Sequence, residues 1–184
     1  MKARRKIIVG LGNPGKEYAD TYHNVGARAV RAFAAGLAFK AHKRLFTYAA
    51  ADGAVFVLPL TFMNESGAAV RAAMKKFNAA PKDIIVVHDE SDLPLGAYRV
   101  STNRNAAGHR GVQSIIDALR TKNFARIRIG IHPPAPAAAG SGARRAKAGT
   151  FVLAHMNAGD QAVIDGVTEK IAEIVPVAAP TGSS

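Results

Sequence analysis

The sequence predicts an α/β fold: a single domain, residues 1–184, with a mixed, mostly parallel β-sheet flanked by α-helices. Three observations predict it. Apolar runs of strand length alternate with stretches of helical periodicity. One of those runs, DIIVVHDE, is apolar without interruption until charge ends it, as in a strand buried on both faces. And 184 residues, 48% of them hydrophobic, suffice for one proper core.

The elements follow in order. Residues 6 to 11 read as a buried strand, and 25 to 37 as a helix with Gly26, Val30, Phe33 and Leu37 on its inner face. A strand is expected over 54 to 59, then a helix from Ser66 to Phe77 striped by Val70, Met74 and Phe77. After DIIVVHDE comes a shorter strand over 97 to 101. Val112, Ile115, Ile116 and Leu119 mark the next helix at i, i+3, i+4, i+7. ARIRIGI alternates Arg126 and Arg128 with isoleucines, which predicts a strand with one buried and one basic face. The Pro/Ala/Gly-rich connection 132–149 reads as a flexible lid, and the tail 177–184 as disordered. Between them a helix over 160 to 175 is expected to face Val163, Val167, Ile171 and Ile174 inward.

Charge and composition narrow the function classes. Residues 1–147 hold 24 basic and 9 acidic groups, +15, and residues 148–184 hold 1 and 4, −3, for the net +12 of the chain. Such an excess favours a polyanionic partner, nucleic acid above an acidic membrane surface. With no cysteine there is no disulfide framework and no thiol chemistry, which suits a cytoplasmic protein. The short apolar run near the N-terminus falls short of a signal peptide core, and no segment reaches the ~20 apolar residues of a membrane span. A soluble protein without membrane association is expected.

KIIVGLGNPG contains G-x-G-x-x-G at Gly10, Gly12 and Gly15, the spacing of a dinucleotide loop. Pro14 has no N–H for a phosphate and biases Asn13 away from helix. No acid stands in VRAFAAGL, residues 30–37, where a ribose ligand belongs. The dinucleotide reading is therefore weak.

Three strands hand over to polar residues at their C-terminal ends: Asn13, Asn64, and the run His88, Asp89, Glu90. If the strands are parallel, Asn13, Asn64 and Asp89 share one crevice. His23 precedes the first helix, whose positive end favours the neutral ring. It either caps that helix or serves as a general base oriented by Asp89. Asp92 in SDLPLG reads as a turn former. HDESD offers oxygen ligands but lacks the two-histidine spacing of a zinc helix. The absence of G-x-S-x-G leaves nucleophilic serine chemistry little support.

At these residues the chain resembles a known family. IIVGLGNPGKEYADTYHNVG, LPLTFMNESG, IVVHDESDLPLG and GHRGVQSII, then FARIRIGI, look in order like the signature blocks of bacterial peptidyl-tRNA hydrolase, from about residue 6 to about residue 153. The resemblance implies cleavage of the ester between a peptide and the 3′-terminal ribose of tRNA, by a monomer using no metal or organic cofactor and no obligatory protein partner. By position it implies His23 as catalytic base and Asp89 as its partner, with Asn13 and Asn64 positioning peptidyl group and water. Tyr18, Met63, His109 and Arg110 fall on substrate-binding positions, and Arg99, Arg104 and Arg128 on basic positions for tRNA. Arg110 stands where the family commonly has asparagine and is expected to turn outward to a phosphate. Ser101 replaces a second basic residue, and the 132–149 connection is longer than usual. The competing reading, a non-catalytic RNA-binding relative, would not need an intact His23 and Asp89.

Overall fold

A computed structural model describes residues 5–132 and 151–175; the 133–149 part of the expected lid and the 177–184 tail lie outside them. The strands are β1 (Lys6–Gly10), β2 (Lys40–His42), β3 (Phe46–Ala51), β4 (Ala54–Pro59), β5 (Ile84–Pro94), β6 (Tyr98–Thr102) and β7 (Ala125–His132). The helices are α1 (Val25–Phe33), α2 (Ser66–Phe77), α3 (Arg110–Leu119) and α4 (Ala158–Ala172). The strands form one seven-stranded sheet in the order β2-β3-β4-β1-β5-β7-β6. Its centre is parallel, β4 with β1, β1 with β5 and β5 with β7, while β2, β3 and β6 join antiparallel at the edges.

Side chains alternate across the sheet. Ile8, Phe56 and Val87 face α1 and α4, packing with Val30, Ile164 and Ile171, whereas Ile7, Val9 and Val86 face α2 and α3, packing with Val70 and Ile115. Burial on both faces is why β1 and β4 read as unbroken apolar runs.

The glycines of the first block serve this packing. A Cβ on Gly10 would lie 2.6 Å from the Gly26 carbonyl oxygen, and one on Gly26 2.2 Å from that of Val87. Glycine at both positions lets α1 press directly onto the backbones of β1 and β5, which fixes where α1 begins.

Several expectations are corrected. α1 stops at Phe33 and leaves Leu37 38% exposed, because Gly36 takes a left-handed conformation beyond the helix. α4 covers 158–172, and Val163 and Ile174 are 42% and 50% exposed. Its inward stripe is Ile164, Val167, Thr168 and Ile171; Thr168 disguises the stripe, its hydroxyl donating back to the Ile164 carbonyl at 2.7 Å. β5 continues past Glu90 through an irregular stretch to Pro94, so Asp92 lies in strand and the turn falls at Leu95–Gly96. The expected basic face of β7 turns inward: Arg126 is 2% exposed, and Arg128 pairs with Glu90 at 3.3 Å.

Candidate functional site

The parallel centre of the sheet brings the C-terminal ends of β4, β1 and β5 side by side, where open α/β sheets form ligand crevices. There a cleft of about 330 Å³ opens, lined by Asn13, His23, Met63, Asn64, Asp89 and Glu90, with His109 and Arg110 on its far wall and Phe62, Val152 and Leu153 giving apolar surface. The expectation that Asn13, Asn64 and Asp89 share one crevice is met, and His23 joins them.

Asp89 is the centre. It is 3% exposed within β5, just before the strand's irregular stretch, and its Oδ1 accepts from His23 Nδ1 at 2.9 Å and His109 Nε2 at 2.8 Å. Since His109 Nδ1 accepts from the Val112 amide at 3.3 Å, capping α3, its proton belongs on Nε2. A carboxylate only accepts, so His23 carries a proton on Nδ1, and the neutral ring in this tautomer has Nε2 as its acceptor nitrogen. Burial alone would raise the Asp89 carboxyl, but His109 and His23 outweigh it and hold the group below the usual carboxylate range.

Asn13 is held as firmly. Its backbone N–H donates to Asn24 Oδ1 at 2.8 Å, and its carbonyl accepts from Asn24 Nδ2 at 2.9 Å. Its side-chain oxygen accepts from the Met63 amide at 2.8 Å, which links the β1 turn to the β4 turn and leaves Nδ2 available to donate. Asn64 follows Met63 on an exposed rim. Asn24, 5% exposed, is the residue sequence reading missed. Its signal was a buried-side asparagine in YHNVG, one residue past the candidate base.

Other sequence-predicted residues divide. Met63, His109 and Arg110 line the cleft, Arg110 exposed as the first residue of α3. Tyr18 is outside this lining and packs edge-on against Phe62, with ring centroids 6.3 Å apart. Arg99 and Arg104 are exposed on β6 and the loop after it, but Arg128, paired with Glu90, is not free. His23, Asp89 and His109 offer ligand atoms within 4.8 Å of one another. Both nitrogens, however, already point at one oxygen across hydrogen-bond distances. A metal ~2.0–2.2 Å from each would have to replace both bonds.

Beneath the cleft, His88 donates from Nδ1 to the Asp89 carbonyl at 2.6 Å and packs edge-on against His109 with centroids 4.6 Å apart. Burial, reinforced by His109, lowers it from 6.5 to about 3. The unfolded chain therefore binds a proton here that the folded chain refuses, so stability is full above pH 6.5 and falls toward pH 3. Urea unfolding between pH 7 and 4 is expected to show this loss, and His88→Asn to flatten the slope by about one proton, ~1.4 kcal/mol per pH unit. Equal slopes would contradict it.

Comparison with known proteins agrees with this geometry. The family model described as peptidyl-tRNA hydrolase matches residues 7–183. The chain is 44% identical over 137 residues to a peptidyl-tRNA hydrolase of Akkermansia muciniphila, covering 73% of this chain and 72% of that one. It is 38% identical over 181 residues to that of Sorangium cellulosum, covering 94% and 78%. The crystal structure of peptidyl-tRNA hydrolase from Acinetobacter baumannii superposes with a TM-score of 0.78 at 33% identity, covering 94% of this chain and 87% of that one.

Proposed function

This chain belongs to the peptidyl-tRNA hydrolase family and hydrolyses peptidyl-tRNA, and we propose that His23 is the base that activates water for the reaction. The observation that carries this reading is the double acceptance at Asp89 Oδ1, which turns His23 Nε2 toward the cleft as its proton acceptor. Water attacks the ester carbonyl and gives its proton to Nε2. The imidazolium so formed lies against the Asp89 carboxylate, and the Asn13 amide donates to the substrate oxygen that gains charge. When the intermediate collapses, the ribose 3′-oxygen leaves with the proton from His23. The products are a free peptide carboxylate, whose proton passes to solvent, and a tRNA 3′-hydroxyl. Asn64 on the rim orients water and peptidyl group, and Phe62, Met63 and Leu153 offer apolar contact to the peptide.

The tRNA body lies along Arg99, Arg104 and Arg110, all exposed, with Arg110 at the cleft itself; Arg128 instead balances Glu90. The test is cleavage of an N-acetylaminoacyl-tRNA, with and without a chelator, across a salt series. Turnover should survive the chelator. Three phosphate contacts on duplex should raise KM about 40-fold between ~50 and ~200 mM salt. A flat salt dependence would remove the phosphate-dominated interface, and loss of turnover with chelator would replace the water-activating histidine by a metal.

A further inference from the structure

Arg126 is the largest fully buried side chain among the described residues, and no step derived above uses it. It stands on β7, in register with Val86 of β5 and Ser101 of β6. Its Nη1 donates to the Asn105 carbonyl at 2.9 Å and its Nη2 to the Arg104 carbonyl, while its guanidinium carbon lies 5.0 Å from the centre of the Phe124 ring. Nε has no hydrogen-bond partner among the described residues, and Glu90, the acid whose charge reaches Arg126, is bonded to Arg128. A buried cation held by carbonyls and a ring, without its own carboxylate, is a costly way to fill space. What it holds is the loop from β6 to α3.

That loop has little of its own to fix it. Asn103, Ala107 and Gly108 all take positive φ, a conformation unfavourable to the first two. The two carbonyls bound by Arg126 come immediately before Ala106, whose carbonyl accepts the His109 N–H at 3.0 Å. His109 then caps α3 and reaches Asp89. A planar fork across consecutive carbonyls sets both the position and the tilt of a strand of backbone, which a single ammonium cannot do.

We propose that Arg126 is a positioning residue of the hydrolytic site: its guanidinium clamps the β6–α3 loop so that His109 Nε2–H meets Asp89 and the loop forms the cleft's far wall. The link to turnover rests on the reading of Asp89 and His23 given above, whereas the clamp itself does not.

The test separates the two. In Arg126→Met, the His109 Nε2 proton observed by NMR should lose its protection from exchange. With N-acetylaminoacyl-tRNA, kcat should fall between about 10-fold and 100-fold, the range a displaced site suffers. His109→Ala should cost a similar factor, and the double variant no more than the worse single one, because both act through one bond. A protected His109 proton in Arg126→Met, or losses that multiply in the double variant, would overturn the clamp. Loss of that proton with wild-type kcat would keep the clamp and overturn the catalytic reading of Asp89. If Arg126→Met does not fold, Arg126→Lys serves: holding one carbonyl, it should give intermediate proton exchange and an intermediate kcat. Wild-type values of both would overturn the proposal.

Discussion

His23→Ala is expected to lower kcat on N-acetylaminoacyl-tRNA by about 10²–10⁴-fold, the usual worth of a positioned general base, while KM stays within about twofold. The two parameters separate because they depend on different groups. The imidazole is mostly buried, 12% exposed in its side chain, and touches Asp89 and the cleft, not the cations that face solvent. Its removal should leave the fold in place: the His23 backbone still donates to the Val152 carbonyl at 2.7 Å, and α1 still packs through Gly26. Retained turnover would remove the base assignment. A rise in KM matching the fall in kcat would instead mean that His23 binds substrate without acting on water.

The centre of this fold was legible because both faces of β1, β4 and β5 are covered. Continuous apolar runs result, and the polar residues that end them must emerge at one edge. β2 and β3 were not legible. Lys40–His42 is three residues at an exposed edge, and FTYAAA carries small residues where a half-buried strand would alternate. Their strand character comes from pairing, β3 with β4 and β2 in turn with β3, an effect absent from local pattern.

At the site, residue types and strand ends pointed Asn13, Asn64 and Asp89 to one crevice and left His23 open between helix cap and base. What holds them was hidden. Asn24 acts through both backbone groups of Asn13, eleven residues away, and no spacing rule marks such a clamp. The arginines of ARIRIGI misled for a related reason: alternation predicts which side chains share a face, and only the loop lying over that face decides whether it is wet.

Asp89→Asn should give a folded enzyme with kcat reduced by about 10²–10⁴-fold and a normal affinity for tRNA, since a mispaired base partner of this kind costs up to ~10⁴. The carboxylate has two tasks. It accepts two N–H groups at one oxygen, which fixes the His23 tautomer, and it carries the charge that stabilises the imidazolium formed when water is deprotonated. An asparagine oxygen can accept the same bonds, so ring orientation is kept in part. The amide has no charge, and its NH2, if turned toward His23, would hold Nδ1 as an acceptor and put the proton on Nε2, where it blocks the base. Burial works against the Asp89 charge, but His109 and His23 prevail and hold its folded value below the unfolded one. That contribution to stability is present above the unfolded value and is lost as pH falls through the folded one, so the asparagine variant should lose less stability than the wild type in strong acid. Acid unfolding and the kcat profile, measured on the same variant, check both tasks. Full turnover in Asp89→Asn would move the orienting role to His109 or to backbone, and leave His23 acting without its charge partner.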